Sequence, residues 1–121
     1  GFVALKQAGV TRETPRMVGV QAVVCSPLIG QKSKVEGQTM AEGIRVSNPL
    51  RWKAVKRAVE ESGGKWVAVE ENDILPGRDA LAQRGFYVEP TSAIIWKALE
   101  EMFPGPVVAI LTGSGLKFFE Q

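Results

Sequence analysis

Short apolar runs rich in β-branched residues recur at 17–24, 65–70 and 107–111, and each is separated from the next by stretches long enough to hold a helix. A further short run lies at 86–88. Strands spaced this way are joined by crossovers of a dozen or more residues instead of hairpins, which sets them parallel and right-handed. The spacing therefore predicts an α/β fold, a mostly parallel sheet with flanking helices, in which 17–24 and 107–111 are buried on both faces.

The intervening segments carry helix punctuation. Residues 1–9 read as the last turns of a helix closed by Gly9, without a residue to cap its start. Asn48-Pro49 predicts a helix start, with Asn48 as cap and Pro49 at the first helical position. Trp52, Val55, Ala58 and Val59 then recur at helical spacing until Gly63-Gly64. Asn72 or Asp73 can cap a helix running to Arg84-Gly85, with Pro76-Gly77 read as a disturbed first turn. Thr91 or Ser92 can begin another, ending near Phe103-Pro104. Residues 30–38 are polar and contain lysines, and are expected to form a mobile loop.

Composition narrows the chemistry. The 121 residues contain no histidine and one cysteine, so Cys and His zinc clusters, Ser-His-Asp triads and Cys-His pairs are excluded. Cys25 follows an apolar run and reads as a buried structural thiol. Lys plus Arg number 15 against 13 for Asp plus Glu, and the basic residues of 51–61 are interleaved with acids. That pattern is a solvated helix face and not a phosphate-reading stripe, so no nucleic acid is expected as a partner. No apolar run reaches the ~20 residues that span a bilayer, so no membrane is expected and the chain reads as cytoplasmic.

Three segments remain as chemical candidates. After the 107–111 run comes Thr112-Gly113-Ser114-Gly115-Leu116-Lys117, where glycines admit a ligand close to the backbone and hydroxyls offer hydrogen bonds. By residue type alone this is equally a tight connection, and it lacks the spacing of a Walker loop or a dinucleotide fingerprint. Val88-Glu89-Pro90-Thr91-Ser92-Ala93 puts a carboxylate and two hydroxyls ahead of a helix, which a simple cap would also explain. Residues 39–46 combine small side chains with Gly43.

Taken in order along the chain, 15–22, Thr39-Met40-Ala41-Glu42-Gly43-Ile44-Arg45-Val46, Glu89-Pro90-Thr91-Ser92-Ala93 and Leu111-Thr112-Gly113-Ser114-Gly115-Leu116-Lys117 resemble the threonine synthase family. These are pyridoxal-phosphate enzymes of the tryptophan-synthase-β fold type, fold type II. Threonine and serine dehydratases look similar at the Glu-Pro corner but typically end in a Ser-Gly-Gly-Asn type of loop. The resemblance implies pyridoxal phosphate as cofactor, with the Thr112 hydroxyl on its pyridine nitrogen. It also implies Gly113, Ser114, Glu89, Thr91 and Ser92 around the same pocket, and backbone of 41–43 near the ring edge. A neutral hydroxyl partner leaves the ring nitrogen largely unprotonated and weakens the ring as an electron sink.

The family's Schiff-base lysine lies in a Ser-Phe-Lys-Asp-like motif and its cofactor phosphate in a Gly-Asn-Thr-type loop, and neither pattern occurs in these residues. No catalytic residue is therefore assigned. Residues 1–121 are expected to be the C-terminal part of a large cofactor-binding domain, inactive alone and either self-associating or homodimeric. The complete enzyme would serve threonine biosynthesis, converting O-phosphohomoserine and water to threonine and phosphate. Alternatives are a related dehydratase or cysteate synthase, or a non-catalytic binding or regulatory domain of the same fold.

Overall fold

The computed structural model describes residues 1–30, 37–101 and 103–117. Most of the 30–38 loop expected from the sequence lies outside the described residues. Two strands, β1 (Val18–Ala22) and β2 (Lys65–Val69), pair in parallel, with Val18 opposite Lys65 and Ala22 opposite Val69. Among the described residues five helices accompany them: α1 (Phe2–Gln7), α2 (Trp52–Glu61), α3 (Glu71–Ala82), α4 (Pro90–Ala93) and α5 (Ile95–Glu100). Single 3-10 turns lie at Glu42–Ile44 and Gly115–Lys117. The expected α/β class, a small parallel sheet with flanking helices, is the observed one.

Glycine closes three of the helices by the same device. Gly9 at φ 71° and Gly63 at φ 67° follow α1 and α2 in the left-handed conformation that a β-carbon disfavours. After α1, the Gly9 and Val10 amides bond the carbonyls of Lys6 and Leu5; after α2, those of Gly63 and Gly64 bond Glu60 and Val59. Both are Schellman closures. Gly85, at φ 87°, repeats the pattern after α3 through Ala82 and Leu81. The α2 closure also sets the sheet. Ser62 Oγ donates to the Val59 carbonyl at 2.8 Å and accepts the Met17 amide at 2.9 Å, so the end of α2 grips the entry to β1.

Helix starts depart from the sequence reading. α2 begins at Trp52 with Arg51 as N-cap, and no side chain caps it. Residues 49–52 instead form a turn in which the Trp52 amide bonds the Pro49 carbonyl, so Asn48-Pro49 precedes the helix. The N-cap of α3 is Glu70, neither Asn72 nor Asp73, and Pro76 lies inside the helix. Pro76 faces outward while Gly77 is buried. A β-carbon on Gly77 would come 2.9 Å from the Ala93 carbonyl oxygen and 3.0 Å from Trp96 Cβ, so the Pro-Gly pair serves close packing of α3 on α4 and α5. α4 is capped by Glu89 with Pro90 in its first turn, ahead of Thr91 and Ser92. α5 stops at Glu100, short of the expected Phe103.

The core lies where β2 meets α3, α4 and α5. Val67, Val69, Ile74, Leu81, Ala93 and Ala98 form its centre, and Ala22 joins it from β1. β2 alternates, with Val67 and Val69 inside and Ala68 exposed, and β1 is buried only at its end, Gln21 and Ala22. Two-sided burial along the whole of 17–24 is thus corrected to burial at the end of β1 alone. Gly19 opposite Trp66 leaves room for the indole, since a β-carbon there would overlap the ring. Cys25 is buried, as its apolar context predicts.

Polar ties at the rim are weak by comparison. Lys97 of α5 lies 3.3 Å from Glu100 and 3.7 Å from Asp73 of α3. The hydrogen bond to Glu100, then the charges of Asp73 and Glu100, raise its pKa above the ordinary lysine value. A raised pKa stabilises the fold below the unfolded-state value and loses that contribution as pH climbs past the lysine range, so the tie is intact at neutral pH. Because Lys97 is solvent-exposed, the stabilisation is slight.

Two expected strands are absent from the sheet. Of 86–88 only Val88 pairs, in an isolated antiparallel bridge to Ser114. The 107–111 run makes no ladder among the described residues, since β1 and β2 pair only with each other. An apolar run becomes a strand only against a partner edge, and without one Val108 is 89% and Ile110 74% exposed. A purified 121-residue chain should therefore self-associate. Sedimentation velocity should show species heavier than the monomer that grow with concentration, and a strictly monomeric, cooperatively folding chain would contradict this.

Candidate active site

The Val88–Ser114 bridge brings the two hydroxyl-bearing segments together. The Gly115 amide bonds the Tyr87 carbonyl at 3.0 Å and the Glu89 amide bonds the Gly113 carbonyl at 3.1 Å. Gly115 is needed for this approach, because a β-carbon there would lie 2.9 Å from the Val88 carbonyl oxygen. The Glu89 carboxylate lies over Gly113, where a β-carbon would overlap it. The corner at 89–93 and the loop at 112–115 are thereby fixed against each other by backbone and by glycine.

Ser92 sits at the centre of the contact. Only 4% exposed, its Oγ accepts the amide of Thr112 at 2.8 Å and that of Gly113 at 3.1 Å, and pairs with Thr112 Oγ1 at 2.9 Å. Thr112 itself is exposed. The structure thus gathers Glu89, Ser92, Thr112 and Gly113 into one cluster.

Thr91 and Ser114 face elsewhere. Thr91 Oγ1 accepts the Gly43 amide at 3.1 Å, and a β-carbon on Gly43 would crowd the threonine methyl at 2.9 Å. Thr91 therefore anchors the 3-10 turn at Glu42–Ile44 and brings the 41–43 backbone beside α4. Ser114 Oγ accepts the Leu116 amide at 3.3 Å, a local turn bond of the kind serine makes in loops.

One contributor escaped the sequence reading. Glu71, two residues after the end of β2 in the first turn of α3, accepts the Met40 amide at 3.0 Å through Oε2. Thr39 Oγ1 accepts the Ala41 amide at 3.1 Å. Together they hold 39–43 beside the carboxyl end of β2, the edge of a parallel sheet where ligands bind. The available signal was an acid one turn beyond a strand, which a helix N-terminus explains equally well.

The cluster suits a neutral aromatic nitrogen. Thr112 presents an exposed hydroxyl backed by a buried serine, while the Glu89 carboxylate fills the space beside Gly113 and the Tyr87 ring that beside Gly115. The cluster offers a ring nitrogen the Thr112 hydroxyl, with the Glu89 carboxylate beside Gly113 as its charged neighbour. The residues present fit pyridoxal phosphate at its pyridine end. Bound there, the cofactor supplies an electron sink for carbanion chemistry. Thr112 is the group that would orient such a ring.

No helix among the described residues is long and apolar enough to cross a membrane. The family model described as "Pyridoxal-phosphate dependent enzyme" matches residues 1–113, which include every cluster member. The threonine synthase of Mycobacterium tuberculosis is 31% identical over 125 residues, covering 97% of this chain and 35% of that protein. That of Synechocystis is 35% identical over 123 residues, covering 97% and 32%. That of Methanocaldococcus jannaschii is 32% identical over 133 residues, covering 97% and 33%. The chain spans about a third of the length of these curated relatives. Its fold, the cluster at the Glu89 corner and the match over 1–113 agree, and the chain belongs to the pyridoxal-phosphate dependent enzyme family.

Proposed function

We propose that these residues are the C-terminal part of the large domain of a threonine synthase, a cytoplasmic, homodimeric enzyme that uses pyridoxal phosphate to convert O-phosphohomoserine and water to threonine and phosphate. The observation that carries the reading is the Ser92–Thr112 hydroxyl pair, set beside Glu89 and Gly113. Similarity to three threonine synthases over 97% of the chain supports the synthase above a dehydratase or a cysteate synthase. In this reading Thr112 donates to the pyridine nitrogen and Gly113 lets the Glu89 carboxylate approach the loop. Glu89 and Ser92 line or support the pocket, Thr91 holds the 41–43 backbone near the ring edge, and Ser114 closes the loop. The Schiff-base lysine is supplied by a segment outside these residues, so the chain alone does not turn over.

In the full-length enzyme, Thr112→Val keeps the shape of the side chain and removes its donor. Cofactor affinity should fall by roughly 2- to 12-fold, the equivalent of a lost hydrogen bond of about 0.5–1.5 kcal/mol. Ser114→Ala, whose hydroxyl turns toward Leu116, should leave affinity within about twofold, the scale of a surface substitution. Cofactor titration of both variants, followed by assay with O-phosphohomoserine, is the test. Equal losses, or a larger loss at Ser114, would put the pyridine contact on the wrong residue, and product from a different substrate would replace the synthase assignment.

A further inference from the structure

Three amides of the 39–43 segment end on side-chain oxygens. Met40 donates to Glu71 Oε2 at 3.0 Å, Ala41 to Thr39 Oγ1 at 3.1 Å and Gly43 to Thr91 Oγ1 at 3.1 Å. The Thr39 bond is internal to the segment, which leaves Thr91 of α4 and Glu71 of α3 as its hydrogen-bonded ties to the helices. The two carboxylate oxygens of Glu71 fare differently: Oε2 holds Met40, whereas Oε1 is buried and has no hydrogen-bond partner among the described residues. An acid in the first turn of a helix benefits from the positive helix end while staying in water. Asp73 does so in the same turn, its side chain 39% exposed and 3.7 Å from Lys97. Burying a carboxylate oxygen without a donor instead costs stability, and native proteins keep such a group where a site needs it.

We infer that Glu71 is a positioning residue for the cofactor site: through the Met40 amide it sets where the 41–43 backbone stands, and it does so at a cost to the stability of the fold. The turn is pinned from the other side by Thr91, against which Gly43 is packed so closely that a β-carbon would lie 2.9 Å from the threonine methyl. With Gly43 fixed there, loss of the Glu71 bond frees the Thr39–Ala41 end to swing about the Thr91 anchor, away from the carboxyl edge of β2. The inference rests on the proposed reading that 41–43 lie near the ring edge. It adds the residue that places them, the atom through which it acts and the sign of its effect on stability.

The test compares Glu71→Met, Glu71→Gln and Thr112→Val in the full-length protein by urea unfolding and amide exchange without cofactor, and by titration with pyridoxal phosphate. In Glu71→Met an apolar side chain of similar length replaces the orphaned oxygen, and Met40, only half-buried, can turn its amide to water. Its urea midpoint should equal or exceed that of the wild type, as replacing a buried charge by an apolar group often does. Met40 should exchange faster, and cofactor affinity should fall roughly 10- to 100-fold, the scale of a hydrogen bond to a charged acceptor. Glu71→Gln keeps an acceptor for Met40, so its affinity should return to within about fivefold of wild type, the difference between a charged and a neutral acceptor.

A lower urea midpoint for Glu71→Met, or failure of that variant to fold, would make Glu71 a structural tie and overturn the inference. Equal losses of affinity in Glu71→Met and Glu71→Gln would assign the effect to charge instead of the Met40 bond, with the same consequence. Unchanged affinity in Glu71→Met beside a loss in Thr112→Val would overturn the inference and leave the cofactor reading standing. Unchanged affinity in both removes the cofactor reading and the inference with it. Unchanged exchange at Met40 in Glu71→Met would contradict the hydrogen bond through which Glu71 acts.

Discussion

Gly64→Ala should be the most damaging small substitution in this chain. A β-carbon on Gly64 would overlap the Met17 carbonyl oxygen and stand 2.8 Å from its carbon and 3.0 Å from the Met17 nitrogen. These are backbone atoms and cannot rotate aside. Met17 is also the residue whose carbonyl accepts the Lys65 amide at 3.3 Å and whose amide bonds Ser62 Oγ at 2.9 Å. Relieving the overlap therefore moves the first residues of β1 away from β2 and breaks both bonds. Overpacking costs about 1–3 kcal/mol and occasionally more, and the lost bonds add about 1 kcal/mol each, so a destabilisation of roughly 3 kcal/mol or more is expected.

The neighbouring glycine is the control. Gly63 has φ 67° and open space around its α-carbon, so Gly63→Ala meets only left-handed strain of about 1–2 kcal/mol. Urea unfolding of both variants should place the Gly64→Ala midpoint below that of Gly63→Ala. The reverse order would mean that the β1–α2 junction can open without cost.

Ile74→Ala should produce the other large loss. Ile74 is fully buried and is among the largest of the fully buried side chains, packed in the cluster shared by β2, α3 and α5. Truncating it removes buried apolar atoms and leaves a cavity that α3 cannot collapse into, because Gly77 already packs so close to the Ala93 backbone that a β-carbon there would lie 2.9 Å from its carbonyl oxygen. Isoleucine truncation to alanine at such sites costs about 2–5 kcal/mol, against about 0.5–1.5 kcal/mol for Ile74→Val. A thermal or urea series of the two variants measures it. Comparable, small losses from both would show that the space around Ile74 relaxes freely. The same series tests the coupling of core to site, since α3 carries Glu71, which holds the Met40 amide.

Some features were legible because local chemistry decides them. The glycine closures at Gly9, Gly63 and Gly85 follow from backbone sterics, and each sits where the end of a helical pattern predicts it. The pairing of β1 with β2 follows from two β-branched runs joined by a segment too long for a hairpin. The order of the small motifs located the cluster at Glu89 and Thr112 before any geometry was known.

Other features depended on which residues meet across the chain, which no local pattern encodes. Strand character at 107–111 needs a partner edge as much as β-branched residues, and its exposed side chains record the lack of one among the described residues. Pro76-Gly77 reads locally as a broken turn, yet it lies inside α3 because a third element, the backbone at Ala93, approaches the bare α-carbon. The hydroxyls of Thr91, Ser92, Thr112 and Ser114 are alike as residue types, but only tertiary contact distinguishes their roles. Thr91 is committed to Gly43, Ser114 to its own turn, and Ser92 to the loop that carries Thr112. The sequence by itself determined the glycine closures of three helices and the class of fold. The tertiary structure alone decided which hydroxyls meet, because hydrogen-bond capacity is filled by neighbours distant in the chain.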